Sequence, residues 1–590
     1  MTARSIHYAL RARRPEDHRV EVTATFTADA PLPEPFVVAL PTWTPGSYLI
    51  REHARHVLSL SARAEGDAAG VIKVAKNAWA VAHGGAREVE VTYALYAHDL
   101  SVRTNHLDDS HAWLVGAATY MAPLDDPAWR AAPCAVTLEG RPASWRVATT
   151  LLADGGALRA ESYDALVDAI LEVGEHERHQ FAVGGARYDL VVWGAELAPG
   201  WDSERAVGDI TRALKVEHAM YGGPPAERYL IALHVAPGGR GGLEHRDGCA
   251  LQASPETFDA DDGWNDFIAL VAHEHLHAWH VKRARPASLV QLDYQRENPT
   301  RLLWLFEGAT SYYDWLVTRR AGVATVGEYL RHVAHEWRRL DDTPGRRALS
   351  LEAASFDAWT RLYRPDENTA NAGVSYYLKG ELVTLLLDLE IRARTAGARS
   401  FDDVMRLVWR RYGQSDEGVP EAGAEALIAE AVELDLSREV QAWTRGTDEL
   451  PIAAALRRFA VMATPREGRG ATLGARVRGD DGRAVVVAVY AGGPADRAGL
   501  APGDEVIALD GRRVDEVTLG SRLRKQRSLL GRPVELLIAR RERVRALTVT
   551  PEAPAREGFD LDPDRDATSE ARALLRGWLG DEADAWWSRG

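Results

Sequence analysis

The run His273-Glu274-His275-Leu276-His277 constrains this chain more than any other stretch. It is an H-E-x-x-H, and it lies in Phe267 to Arg283, FIALVAHEHLHAWHVKR, where Phe267, Ile268, Leu270, Val271, Leu276 and Trp279 recur at helical spacing. Positions i and i+4 of a helix lie one turn apart on the same side, so His273 and His277 can reach one tetrahedral cation about 2.0–2.1 Å from each ring nitrogen. Glu274 is rotated roughly 100° from His273, away from that coordination but beside a metal-bound water. The pattern predicts a helix carrying two zinc ligands and a general base. A zinc that does chemistry keeps three protein ligands and an open corner, so a second segment must return with a third ligand.

Three residues are candidates for it. His280 follows His277 by three positions, a turn further along, where a rigid helix would not bring it to the same ion; it reads as a supporting or core histidine. Glu297 lies in Tyr294-Gln295-Arg296-Glu297-Asn298-Pro299, a polar stretch closed by proline that reads as loop. Glu307 lies in Leu303-Trp304-Leu305-Phe306-Glu307-Gly308-Ala309-Thr310, an apolar run that continues through Tyr312, Tyr313, Trp315 and Leu316 at helical spacing. A lone carboxylate there is costly to bury unless it binds a metal or is otherwise paired. Glu307 is therefore the expected third ligand. Asp314, seven residues on and on the same helix face, is a candidate to orient a ligand histidine, with an ordinary surface aspartate as the alternative.

H-E-x-x-H followed by W-L-F-E-G-A-T resembles the two helices of thermolysin-like zinc peptidases, and especially the W-L-x-E-G-x-A of the aminopeptidase N superfamily. The usual spacing of that superfamily would put the glutamate at Arg296, so the link between the helices carries an insertion. Gly241-Gly242-Leu243-Glu244-His245 resembles its G-x-M-E-N strand, and Tyr377-Leu378-Lys379-Gly380 its Y-E-K-G. With Trp43-Thr44-Pro45-Gly46-Ser47-Tyr48 near the N-terminus and a PDZ-like module near the C-terminus, the chain resembles the glycyl aminopeptidase family over most of its length. The resemblance implies one Zn2+ per chain, held by His273, His277 and Glu307, with Glu274 as general base. It implies that Tyr377 steadies the oxyanion, that Glu244 grips the free amino group of a peptide, and that N-terminal Gly or Ala is preferred. Tyr376 is adjacent, and only one of the two tyrosines can face the metal; Tyr377 matches the motif register. His245 departs from the superfamily's asparagine.

Length and patterning set the domains. The 590 residues are too many for one core and predict a multidomain α+β protein. Residues 1–165 alternate apolar and polar in short runs, as in Val20 to Phe26 and Glu88 to Leu95, the pattern of an antiparallel β-sandwich. Arg51 there reads as a brace at a domain interface rather than a substrate contact. Residues 166–450 show longer helical patterns with a few strands, which the resemblance implies form a mainly helical, thermolysin-like zinc peptidase domain with a small β-sheet, in which Gly241 and Gly242 let an edge strand approach a ligand closely. The loop around Arg364 to Asn368 could wall the cleft. Residues 455–552 predict a PDZ domain on Gly493-Pro494-Ala495 and Pro502-Gly503-Asp504, with Leu473 and Gly474 in the candidate carboxylate loop. Residues 553–590 read as an acidic linker and a short helix whose Trp578, Trp586 and Trp587 dock on a neighbouring surface.

A net charge of −15 disfavours nucleic acid, and the Arg-rich stretch Arg522 to Arg545 reads as a solvated face. With 65 arginines against 6 lysines, Lys379 inside the tyrosine motif suggests a place where a compact ammonium fits and a planar guanidinium does not. No run of about 18 apolar residues exists to cross a membrane. Met1 to Val20 has arginines but no apolar core, so no signal peptide is expected. The cytoplasm is the expected compartment, and the periplasm only if a leader had been removed. Cys134 and Cys249 are too far apart in sequence to read as a ligand pair. The expected partners are peptides with a free N-terminus, and a peptide C-terminus at the PDZ groove. A zinc endopeptidase with PDZ-guided recruitment is the main alternative, and a non-catalytic PDZ adaptor the lesser one.

Overall fold

The computed structural model describes residues 4–589 apart from Asp416, Arg469 and Ala555. The chain divides into two compact units. One comprises Met1–Asn298, Tyr313–Val323 and Met405–Pro420; the other comprises Pro299–Tyr312, Ala324–Val404 and Glu421–Gly590.

The first unit begins with the period-two strands. In Arg19–Ala28 the side chains of Val20, Val22, Ala24 and Phe26 are buried while the residues between them are less so, which directs every second side chain into the core. This strand lies near the middle of a ten-stranded sheet. Arg4–Arg11 runs antiparallel to it and parallel to Cys134–Glu139, so the sheet contains one parallel pair. A five-stranded sheet comes next, ordered Arg146–Thr149, Leu171–Gly174, His111–Trp113, Thr104–Leu107 and His98–Ser101. The N-terminal sheets thus run to Gly174. Beyond Gly174 the chain forms two further strands, Glu177–Val183 and Ala186–Trp193, and reaches its first long helix only at Ser203–Tyr221. The change of texture expected near 166 falls later because Leu171–Gly174 is too short to show a period.

A second five-stranded sheet carries the peptidase motifs. Its order is Glu177–Val183, Ala186–Trp193, Arg228–Val235, Gly248–Ala253 and, at the edge, Arg240–His245. Trp113 and Ile170 from the preceding sheet region pack with Val191, Leu230, Ala232, Leu243 and Ala250 from this one in a shared apolar cluster. The H-E-x-x-H helix, Asp261–Leu276, buries Trp264, Phe267, Ile268, Val271, Ala272 and Leu276. Asp261 and Asp262 in its first turn suit the positive end of the helix dipole.

In the second unit, Val326–Asp341 starts at a capping box of Thr325 and Glu328, and Tyr376–Arg394 starts at Ser375, whose hydroxyl accepts from the Leu378 N–H. The C-terminal module is a sheet ordered Ala475–Asp480, Arg483–Val489, Glu505–Leu509, Val534–Arg540 and Arg543–Val549, with the helix Glu516–Lys525. The tail is more structured than a linker and one short helix. Phe559–Pro563 pairs with Val461–Pro465, and two helices come after it, Ser569–Leu579 and Glu582–Arg589. The Trp578 indole anchors it by donating to the Tyr312 hydroxyl at 3.1 Å, and the Trp587 indole ties the tail to itself by donating to the Asp564 carbonyl at 3.1 Å. A five-residue strand with two prolines nearby is below what periodicity can detect. No helix among the described residues is long and apolar enough to cross a membrane.

Candidate metal centre and active site

Helix Asp261–Leu276 ends at the motif itself, with His277 as its C-cap. The rings of His273 and His277 lie edge to face, centroids 4.8 Å apart. Each has its Nδ1 engaged: His273 with Asp314 Oδ2 at 3.1 Å, and His277 with the His280 carbonyl at 2.8 Å. A neutral imidazole that donates from Nδ1 presents its Nε2 lone pair elsewhere, so these contacts fix the tautomer a metal needs. Asp314 thus lies where it can orient a ligand. His280 contributes its backbone carbonyl, and the turn that presents that carbonyl is unusual, with Val281 at φ +122°, a rare conformation for a β-branched residue.

Glu307 is buried in Trp304–Gly308, a single wide π-turn that opens the helix Ala309–Arg320. Such turns insert one residue and shift the phase of what precedes them, and they recur at functional sites. Two imidazoles with correctly placed tautomers suit a zinc ion, and a buried carboxylate is the type of donor that completes such a ligand set.

Glu274 is buried at the same end of the helix. A Cβ on Gly242 would stand 2.3 Å from Glu274 Oε1 and 2.5 Å from its Cδ and Cγ, so only glycine lets the edge strand Arg240–His245 pass the carboxylate. Gly241, at φ +92°, supplies the turn of backbone that brings it there. Ligand atoms of Glu244, Glu274 and His277 also converge within 4.8 Å. Two contacts from the N-terminal region were not foreseen. Gly46 of the W-T-P-G-S-Y run, at φ +89°, abuts Glu244 so closely that a Cβ would lie 2.4 Å from Oε1, and Arg103 donates to the Gly242 carbonyl at 2.9 Å. The Pro45-Gly46 pair signals a turn, but nothing local says what that turn touches. Arg51 braces its own turn, donating to Ser47 Oγ at 2.7 Å. His245 turns away from its neighbour Glu244, its Nδ1 lying 2.6 Å from the Asp168 carbonyl.

Tyr376 is fully buried while Tyr377 is half-buried, and the two rings stack at 4.5 Å. The Tyr377 hydroxyl lies 3.1 Å from that of Tyr363. Its pKa is raised well above the ordinary phenol value, first by burial and then by the nearby Glu307 carboxylate, so it stays a neutral donor. The helices bearing Glu307 and Tyr377 meet at glycine: a Cβ on Gly308 would lie 2.5 Å from Gly380 Cα. The glycines of W-L-F-E-G and Y-L-K-G therefore share one crossing point. Lys379 points away from it and donates to the Gly446 carbonyl at 3.2 Å.

The central His275 faces the core. Its Nδ1 pairs with Glu217 of the helix Ser203–Tyr221, and its Nε2 lies 3.1 Å from the Tyr188 hydroxyl, which also reaches His218 at 2.8 Å. These contacts hold the metal helix against rotation about its axis. In the C-terminal module the Gly474 N–H donates to Thr472 Oγ1 at 3.0 Å and the Leu473 carbonyl accepts from Ala495, so part of the expected carboxylate loop is satisfied internally. Ala475–Asp480 is an edge strand. Asn371 clasps the module, donating to the Val489 carbonyl and accepting from the Ala491 N–H, at 2.8 and 2.9 Å.

Fold and motif together define a class: a zinc metallopeptidase of the H-E-x-x-H type. Comparison then makes the assignment specific. Family models match as M61 glycyl aminopeptidase over residues 266–383, as the M61 N-terminal domain over 7–175 and as a PDZ domain over 485–540. The chain is a zinc-dependent aminopeptidase with a PDZ domain, similar to the M61 glycyl aminopeptidases over the stretches those models match. Among solved structures it is similar to an aminopeptidase N family protein from Idiomarina loihiensis, with 27% identity, TM-score 0.90, and 97% of this chain and 100% of that one covered. A looser likeness, TM-score 0.48 at 17% identity, extends over 76% of this chain and 95% of an M1 zinc metallopeptidase from Deinococcus radiodurans. No curated protein matches in sequence.

Proposed function

We propose that this aminopeptidase removes single N-terminal residues, Gly or Ala by preference, using one zinc per chain held by His273, His277 and Glu307. The observation that carries the single-residue register is the position of Glu244, whose carboxylate lies within 4.8 Å of the donor atoms of Glu274 and His277. In an amino acid the α-amine and the carbonyl carbon are separated by two bonds, about 2.5 Å. An anionic anchor this close to the general base therefore suits an ammonium one residue from the bond to be cut. The preference for small residues is supported by the family alone.

The bound ion supplies Lewis acidity, easing deprotonation of water near neutral pH and favouring negative charge on an adjacent oxygen. Glu274 takes the proton from the attacking water at a carboxylate oxygen and delivers it to the leaving amine. Glu244 holds the substrate ammonium and so fixes where the peptide bond lies. The Tyr377 hydroxyl donates to the carbonyl oxygen as charge builds there, a contact worth most in the transition state. Asp314 and the His280 carbonyl keep the two imidazoles in their binding tautomer. At the PDZ domain, the edge strand Ala475–Asp480 is where a peptide C-terminus would add.

Glu274→Gln tests the reading. The amide keeps shape but accepts no proton, so zinc content should be unchanged while turnover of Gly- and Ala-initiated peptides falls by about 10³-fold or more. Turnover within tenfold of the parent removes Glu274 from the role. Equal cleavage of free and N-acetylated peptides by the parent protein favours the endopeptidase reading.

A further inference from the structure

Away from the peptidase centre, the first unit holds a second cluster of metal-ligating groups. His111 lies on the strand His111–Trp113, Glu172 on the neighbouring Leu171–Gly174, and His234 on Arg228–Val235 of the peptidase sheet. All three are at most 1% exposed. His111 Nδ1 lies 3.0 Å from Glu172 Oε1, and His234 Nε2 3.0 Å from Glu172 Oε2. Their ligand atoms all fall within 4.8 Å of one another. Donors about 2.0–2.1 Å from a tetrahedral ion stand about 3.3–3.4 Å apart, so a small adjustment would seat a cation among them.

Three further observations favour an ion over a simple hydrogen-bonded triad. Among the described residues no lysine or arginine pairs with Glu172, which leaves a wholly buried carboxylate facing only imidazoles. His176, 4% exposed, sits close enough to Glu172 and His111 to interact electrostatically, and neither of its ring nitrogens has a partner. His111 Nε2, His234 Nδ1 and His106 Nδ1 are likewise buried without partners, and His106 and Asp108 form an adjoining group that shares His111. The nitrogens of His111 and His234 that face Glu172 are the ones it engages, so the costly group is His176, a buried imidazole with neither nitrogen satisfied.

We propose that His111, Glu172 and His234 form a second and structural divalent-metal site, pinning the N-terminal five-stranded sheet to the peptidase sheet. Two imidazole nitrogens and one carboxylate oxygen select zinc or a similar late first-row ion over magnesium or calcium. None of these residues belongs to the His273, His277 and Glu307 group. Burial this complete leaves no open corner for substrate, so the site holds structure and does no chemistry.

The test counts metal on the full-length protein. The protein is loaded with zinc, dialysed and measured by elemental analysis, alongside the double variants His273→Ala/His277→Ala and His111→Gln/His234→Gln. Two zinc ions per parent chain are expected, with one left in each double variant. The second variant should keep peptidase turnover within about threefold, and zinc should raise the melting temperature of the first. Cobalt added to the first variant should give the visible absorption of a nitrogen and oxygen site. One zinc per parent chain together with none in His273→Ala/His277→Ala overturns the proposal and leaves a hydrogen-bonded triad. That pair of counts decides the matter even if His111→Gln/His234→Gln fails to fold, and it also separates this site from the peptidase centre.

Discussion

Replacing Gly242 with alanine adds a methyl group where Glu274, the proposed general base, now stands. The new carbon would lie 2.3 Å from Glu274 Oε1 and 2.5 Å from its Cδ and Cγ, against about 3.5 Å or more for an ordinary contact. Because Cγ is hit as well as the carboxylate oxygen, turning the terminal group in place brings no relief, and the side chain must move by about 1 Å. A misplacement of about 1 Å in a catalytic group costs about 10²-fold, or about 2.7 kcal/mol of transition-state stabilisation. The assay is kcat/KM on a Gly-initiated peptide, with zinc content and melting temperature measured on the same samples. Activity should fall about 10²-fold while both controls hold, since Glu274 is not a proposed ligand and gives way without unfolding the strand. Gly241→Ala is the counterpart: its Cβ meets nothing within 4 Å, but φ +92° strains any L side chain, so melting temperature should drop more and activity less. A Gly242→Ala enzyme within threefold of the parent would refute the link between that glycine and the base.

Three other outcomes are expected from the geometry and electrostatics of the same domain. Glu244→Ala should lower kcat/KM on free N-termini by about 10²-fold or more and leave any slow cleavage of N-acetylated peptides unchanged; an equal loss on both, compared by chromatography, removes the amine anchor. Asp314→Asn keeps the shape but weakens the hold on the His273 tautomer, so zinc affinity measured by chelator competition should fall about 10- to 100-fold, with unchanged affinity as the contrary result. Lys379, buried, has its pKa lowered to about 8, first by burial and then by Arg346. Between about pH 8 and 10.5 the unfolded chain carries that proton and the folded chain does not, so this lysine's penalty on stability, about 3 kcal/mol at neutral pH, fades as pH rises through that window. Denaturant melts of Lys379→Met against the parent should show a gap that narrows by about that amount from pH 7 to 10; a constant gap rejects the shift.

Much of this was legible locally. Spacing within the stretch from Phe267 put His273 and His277 on one helix face, and the cost of burying a lone carboxylate singled out Glu307 from Glu297 even though the intervening link is longer than the superfamily's. Other features escaped because their cause is distant. The wide π-turn at Trp304–Gly308 leaves no periodic trace, Leu171–Gly174 and Phe559–Pro563 are too short to show one, and His280 acts through a carbonyl that its residue type does not reveal.

Covalent spacing and side-chain chemistry thus marked out the proposed ligands, the proposed base and the expected order of domains, since these readings depend on periods of 2 and 3.6 residues and on what is costly to bury. Only the tertiary structure decided which backbones come within van der Waals range: Gly46 against Glu244, Gly242 against Glu274, Gly308 against Gly380, and which side chains gather, as His111 does with Glu172 and His234. Nearly all of these partners lie far apart along the chain, and a glycine or an imidazole declares its capacity for close approach or coordination without naming the partner that will meet it.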